Sequence, residues 1–230
     1  MFKIRVFRAI EDLESCQLFA TGHANVLRDY GITKVTSSKN DWFFNPNVLV
    51  VTVEETESNK VVGGERIHIV NKDFLLPIEE AVSVVEHRIF DLVKTYTEKG
   101  ITGELCGLWN AKDIAGRGVS LLLTKIGVAL AHMLNMDSIF VLCAPYTVSM
   151  CQSAGFEIET SIGNNGTFIY PKLDLIATSL VIKDLGVLLH AENQIREQIF
   201  NFIAYPINVI TEIGQRGETQ ITYNIQIPKF

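Results

Sequence analysis

Positive charge is in short supply here: 20 lysines and arginines stand against 26 aspartates and glutamates, a net charge of −6. A nucleic-acid coat needs a basic face, so no nucleic-acid partner is expected. No apolar run is long enough to span a bilayer. The most hydrophobic stretch, Gly118 to Met136, is interrupted by Lys125 and His132, whereas a spanning helix needs about 20 predominantly apolar residues. The opening MFKIRVFRAI is too charged for the core of a signal peptide. The expectation is a soluble, cytoplasmic protein. Cysteine is scarce too. Cys16, Cys106, Cys143 and Cys151 form no C-x-x-C pair, and no histidine stands at zinc-ligand spacing from them. They read as reduced thiols, with no metal site expected. Internal repeats and low-complexity linkers are also missing.

What remains is a chain of 230 residues, 47% hydrophobic and 20% charged, which fits one folded domain or one domain with an appendage. The elements alternate. Lys3 to Phe7 reads as a strand, and Ile10 to Tyr30 as a helix with Leu13, Cys16, Ala20, Ala24 and Leu27 on one face. Residues 33–46 read as a loop. Asn47 to Val53 and Lys60 to Val70 form a hairpin, with Gly63-Gly64 marking a bulge or a close backbone approach. Pro77 opens a helix that runs to Gly100, with Ile78, Val82, Val85, Ile89 and Val93 as its apolar face.

The next unit carries the chemistry. Gly103 to Asn110 is an apolar strand, residues 114–120 (IAGRGVS) a glycine-rich loop, Val119 to Met136 an amphipathic helix, and Ser138 to Cys143 another strand. Backbone N–H groups at a helix N-terminus are unpaired and partly positive. Gly116 and Gly118 let the backbone approach an anion, and Arg117 adds a charge. The physical reading is an anion or phosphate site at residues 115–120; the alternative is a turn and nothing more. There is no GxxxxGK[ST] and no GxGxxG after the first strand, so neither a P-loop nucleotidase nor a dinucleotide fold is supported. A short helix at 147–154, strands at 157–162, 167–170 and 175–182, a helix near 192–203 and a final hairpin follow.

The strand–loop–helix ELCGLWNAKDIAGRGVSLLLTKIGVAL, the later CQSAGF and the preceding VVGGERIHI together resemble the GNAT superfamily of CoA-dependent N-acyltransferases. The resemblance covers about residues 1–183. It implies an α/β fold: a mixed, mostly antiparallel, twisted sheet with a V-shaped split and helices on both faces. Residues 1–185 would be the acyltransferase domain, with a helical insertion at 71–100. Residues 186–230 would be an extension, serving as an interaction surface, a sheet extension or a homodimer contact.

The resemblance implies acetyl-CoA or another acyl-CoA as co-substrate and a small-molecule amine or amino acid as acceptor. The diphosphate loop, [QR]xxGx[GA] in the family, falls on Ala115, Gly116, Arg117, Gly118, Val119 and Ser120, so the cationic or amide side chain is missing at Ala115. Backbone groups of Leu108, Trp109 and Asn110 would hold the pantetheine arm like an added strand. An acceptor lysine amine with pKa near ~10.4 is deprotonated in only ~1 molecule in 2,500 at pH 7, so a base matters, and Glu104 is the candidate. Arg66, on the hairpin strand expected to face Glu104 across the sheet, would bind an acceptor carboxylate or pair structurally with Glu104 or Glu65. His68 reads as a satisfied core histidine. Trp42, Phe43 and Phe44 would wall a pocket or pack a loop. The tyrosine of the family's YxxxGF is Cys151 here, with Tyr146 as the substitute acid.

ELCGLW with GGERI and LPIEEAV also resembles the branch that makes N-acyl amino acids or acyl-homoserine lactones, often from acyl carrier protein. There the strand reads E-x-S-R-L; here Ser is Cys106 and Arg is Gly107. The alternatives are therefore acetyl transfer, long-chain synthesis, or a catalytically degenerate CoA-binding or interaction protein.

Overall fold

A computed structural model describes residues 1–32, 40–170 and 175–228; part of the expected 33–46 loop lies outside them. The strands are β1 (Phe2–Arg8), β2 (Val48–Glu55), β3 (Val61–Ile69), β4 (Thr102–Asn110), β5 (Ser138–Cys143), β6 (Glu157–Ile158), β7 (Thr167–Ile169), β8 (Ile176–Ile182), β9 (Ile207–Gly214) and β10 (Gly217–Asn224). The helices are α1 (Leu13–Asp29), α2 (Pro77–Val82), α3 (Ile89–Thr97), α4 (Val119–Met133), α5 (Val148–Ser153) and α6 (Asn193–Ala204). The strands form one sheet in the order β6-β8-β5-β4-β3-β2-β1-β10-β9, with β7 also on β8. Among the described residues only β4/β5 and β1/β10 pair in parallel.

Burial explains the layering. β2 (VLVVTVEE) is buried along nearly its whole length, as a strand covered on both faces must be. On one face Leu49, Val51, Ile67 and Leu105 join α4 and α6 in the main core. On the other, Val48 and Val50 meet Cys16, Phe19, Trp42, Phe43 and Trp109, while α2 and α3 close a third cluster over Phe140 and Val181. The C-terminal segment continues this architecture: β10 runs beside β1, and Phe202, Ile221 and Tyr223 belong to the main core.

Two local expectations are corrected. The helix expected from Pro77 to Gly100 is two helices. Val84 and Val85 are exposed between them, and the Glu86 carboxylate accepts from the backbone N–H groups of Gly163 and Arg88. Adjacent β-branched residues favour such a break. In α1 the buried residues are Ser15, Cys16, Phe19 and His23, and Leu13 is exposed. The helix turns its Phe19 edge inward because Trp42 and Trp109 offer it edge-on ring contacts at 5.9 and 6.0 Å.

Candidate active site

β4 and β5 start as parallel neighbours and then part. Their pairing covers only Thr102↔Ser138, Gly103↔Ile139 and Glu104↔Phe140, although β4 continues to Asn110 and β5 to Cys143. A bulge helps to drive them apart. Between Gly64↔Trp109 and Arg66↔Cys106, β4 carries one residue more than β3, and Gly107 takes φ +61° to absorb it. Among the described residues, β4 past the split bonds only to β3 and leaves one backbone edge open, at Leu108, Trp109 and Asn110. The Trp109 side chain is buried against Phe19, so this tryptophan anchors the strand and only its backbone faces the split.

The glycine-rich loop lies where β4 feeds α4. Gly118 is the N-cap of α4 at φ +80°, with no side-chain cap hydrogen bond, and Gly116 is at φ +79°. Ser120 Oγ donates to Asn110 Oδ1 at 2.6 Å, tying the first turn of α4 to the end of β4. The C-terminal hairpin folds against this loop. Arg216 N donates to Gly116 O at 3.0 Å, and the Arg216 side chain passes over Gly116. Glu212 lies beside Gly118 and accepts from the buried Lys125 ammonium at 3.2 Å. Sequence reasoning missed Arg216, because a residue about 100 positions away leaves no local signal in the loop it covers.

The opposite end of the split meets a polar group on the α1 face. Register places His68 opposite Glu104 and Arg66 opposite Cys106. The strand of Arg66 does face Glu104, as expected, and the β4 bulge sets which residues align. Arg66 is fully buried, its guanidinium 4.2 Å from the Trp42 ring centre and 5.7 Å from that of Phe19. A side chain at Gly107 would begin 3.1–3.2 Å from the Arg66 Nε and Nη2 atoms. Arg66 therefore fills, from the neighbouring strand, the space that a longer residue at 107 would enter.

Glu104 is 2% exposed and accepts from Ile78 N, in the first turn of α2, at 2.6 Å. Burial pushes its carboxyl up to about 8, against the pull of the Ile78 hydrogen bond and the Arg66 charge. Burial, with Arg66 beside it, holds His68 well below the usual imidazole range, so the ring is neutral at pH 7. The expectation of a satisfied histidine is also corrected: His68 is 4% exposed, and its Nε2 has no hydrogen-bond partner among the described residues. Burial pushes the Cys106 thiol up to about 12, which leaves it protonated. A cavity of about 390 Å³ opens over this group, with Trp42, Arg66 and His68 in its wall and Asp41, Asp73 and Glu80 among its other lining residues. Glu104 sits one strand behind that wall.

The two acid candidates differ sharply. Cys151 is 2% exposed and its Sγ lies 3.3 Å from Cys143 Sγ, inside the main core. Contact with Cys143, then burial, raises its pKa. Tyr146 is 73% exposed just beyond the end of β5 and stacks on Tyr30, with ring centres 6.3 Å apart. Of the aromatics at 42–44, Trp42 lines the cavity, Phe43 is buried and Phe44 is exposed. No described helix is long and apolar enough to cross a membrane.

A mixed sheet that splits between two parallel strands, with a glycine-rich loop capping the helix between them, defines the GNAT acyl-CoA N-acyltransferase fold, and this chain has that fold. No family model matches the sequence, and no curated protein matches it. Among solved structures, FeeM, an N-acyl amino acid synthase from uncultured soil microbes, superposes with a TM-score of 0.62 at 12% identity, over 86% of this chain and 98% of its own. The CoA-dependent acyl-homoserine lactone synthase BjaI gives 0.55 at 12% identity, over 100% and 96%. An acyl-CoA N-acyltransferase from Pseudomonas aeruginosa gives 0.51 at 10% identity, over 79% and 99%.

Proposed function

We propose that the chain is an acyl-CoA-dependent N-acyltransferase that acylates the amine of a small molecule by direct attack on the thioester. The observation that carries this reading is the conjunction at one split. An open strand edge and a glycine-capped helix start lie on one side, and a buried polar group with a cavity lies on the other. The residues present fit an acyl-CoA. The free edge at Leu108, Trp109 and Asn110 can pair with a pantetheine amide. The backbone of residues 116–120, with positive φ at Gly116 and Gly118, can approach a diphosphate. Arg117 and Arg216 supply the charge missing at Ala115.

The chemistry assigned to each group follows from its environment. An N–H on the open β4 edge steadies the oxyanion, an effect worth about 3 kcal/mol in such sites. Glu104, held near the working pH by burial, is the final acceptor of the proton that the acceptor amine gives up, relayed through water because the carboxyl lies behind the cavity wall. Tyr146 is the donor to the leaving thiolate, because Cys151 is enclosed with Cys143. Extent supports the small-molecule synthase branch over simple acetyl transfer. FeeM and BjaI superpose over 86% and 100% of this chain, against 79% for the P. aeruginosa enzyme. A longer acyl chain, delivered by CoA or by acyl carrier protein, belongs with that branch.

Thermal shift tests the reading, with acetyl-CoA, a long-chain acyl-CoA, free CoA and NADH as control. A ligand at ~100 times its Kd stabilises by ~2.7 kcal/mol, which moves Tm by roughly 5–11 °C for a domain of this size. Shifts with CoA species alone, reduced in Arg216→Ala, are expected. No shift with any CoA, and no acyl transfer from loaded carrier protein, overturns it.

A further inference from the structure

We propose that Cys143 and Cys151 form a redox modification site: a small two-electron oxidant, hydrogen peroxide, converts the pair to a disulfide that pins the turn carrying Tyr146. The site stands apart from the N-acyltransferase reading, since it needs neither acyl-CoA nor acceptor.

Geometry singles out this pair. All four cysteines are free, and Cys143 Sγ lies 3.3 Å from Cys151 Sγ. A disulfide holds its sulfurs at about 2.05 Å, so they must close by roughly 1.2 Å. One side of the pair is fixed and the other is able to yield. Cys143 ends β5 and pairs with Thr178 of β8. Cys151 lies in α5, a helix of six residues, which follows the turn Pro145–Thr147. Pro145 and Tyr146 in that turn are exposed. The approach therefore moves a short helix on a surface turn and leaves the sheet in place. The other two thiols are placed elsewhere. Cys16 packs on the opposite face of the sheet and donates to Ala9 O at 3.4 Å, and Cys106 sits across from Arg66 on β4.

The surroundings set which oxidant fits and which sulfur reacts. Cys143 is 3% exposed and Cys151 2% exposed, so the oxidant must be small. Among the described residues β5 has no β4 neighbour beyond Phe140, so its end at Cys143 borders the open split. Contact with Cys151 lowers the Cys143 pKa, and the same contact raises that of Cys151. The thiolate is the nucleophile, which makes Cys143 the attacking sulfur. It attacks one peroxide oxygen, the O–O bond breaks, and the released hydroxide takes up a proton to leave as water. Cys143 is then a sulfenic acid. The Cys151 sulfur attacks Cys143 Sγ, the S–S bond forms as the S–O bond breaks, and hydroxide leaves with the Cys151 proton as a second water. The two thiols lose two electrons and two protons, and the peroxide is reduced to two waters. The bond closes residues 143–151 into a ring that contains Tyr146.

Thiol mapping of the full chain tests this. The reduced protein is treated with hydrogen peroxide, alkylated with iodoacetamide under denaturing conditions, and analysed by intact mass and by peptide. Before alkylation the mass should fall by about 2 Da, the two hydrogens lost. Cys16 and Cys106 should still alkylate, and one cross-linked peptide should join Cys143 to Cys151. Tm should rise by about 5–10 °C, the effect of closing a short ring in a domain of this size. Amide exchange at residues 144–149 should slow. Dithiothreitol should reverse all of these changes. Cys143→Ser and Cys151→Ala should each keep three alkylatable thiols after the same treatment, and either variant suffices if the other fails to fold. Four alkylatable thiols in the treated wild type, sulfinic acid in place of the cross-link, or a bridge to Cys16, Cys106 or a second chain overturns the proposal. So does a Cys143–Cys151 disulfide that leaves both Tm and exchange in the turn unchanged.

Discussion

Replacing Glu104 with glutamine should remove a pH dependence of stability that is large enough to measure. The carboxyl is buried and pushed from an ordinary 4.5 up to about 8, with desolvation as the dominant cause. Between those two values the folded chain keeps the proton and the unfolded chain has lost it. The unfolded state therefore binds one proton fewer, and stability falls as pH rises, by about 1.4 kcal/mol per pH unit. The contribution is complete below 4.5 and gone above about 8. Across the window the loss sums to at most about 5 kcal/mol, a large part of the 5–15 kcal/mol typical of a domain.

Glutamine mimics the protonated acid, can still accept from Ile78 N, and does not ionise. Urea unfolding at pH 5, 6.5 and 8 should find the two proteins similar at pH 5. Glu104→Gln should be the more stable by several kcal/mol at pH 8. Glu65, also buried and raised, is present in both proteins and cancels in the difference. Parallel stability curves would refute the reasoning, because they would mean that Glu104 ionises at an ordinary pH in the folded state. In the acyl-transfer assay the wild type should gain activity as pH approaches 8, and the variant should lose that limb.

The remaining predictions concern packing, the hairpin clasp and the proton donor. A methyl group at Gly22 would sit 2.0 Å from the Trp109 ring, so Gly22→Ala should cost about 1–3 kcal/mol, read as a fall in Tm. Lys125 joins Gln198 and Glu212 from inside the fold, at 3.0 and 3.2 Å. Lys125→Met should destabilise by about 3–5 kcal/mol by leaving Glu212 uncompensated, and Lys125→Met/Glu212→Leu should recover most of that. Tyr146→Phe should leave Tm within a degree or two and lower turnover, whereas Cys151→Ala should lower Tm and spare turnover per folded molecule. The opposite pattern would make Cys151 the donor.

Short-range pattern carries a good deal of this protein. The alternation in β1, the largely β-branched run of β2 and the amphipathic spacing of α4 are properties of neighbouring residues. They are enough to place the strand–loop–helix unit and its anion loop with no knowledge of any distant segment. The same local reading fails where a residue's role depends on what crosses over it. Val85 fits the apolar period of a long helix, yet it is exposed at the break between α2 and α3. Leu13 fits the face of α1, yet the helix buries Phe19 and His23 because two tryptophans from distant segments wait there.

The site divides in the same way. Residue type and spacing mark Glu104, Arg66 and residues 115–120 as chemically capable. One extra residue in β4, taken up by the positive φ of Gly107, is decisive for their partners: it aligns His68 with Glu104 and Arg66 with Cys106. The sheet order then brings Arg216 and Glu212 over the loop from the far end of the chain. Local sequence sets which groups can ionise, donate or turn. Burial and register set which of them meet, because desolvation and close contact arise only once distant segments have packed.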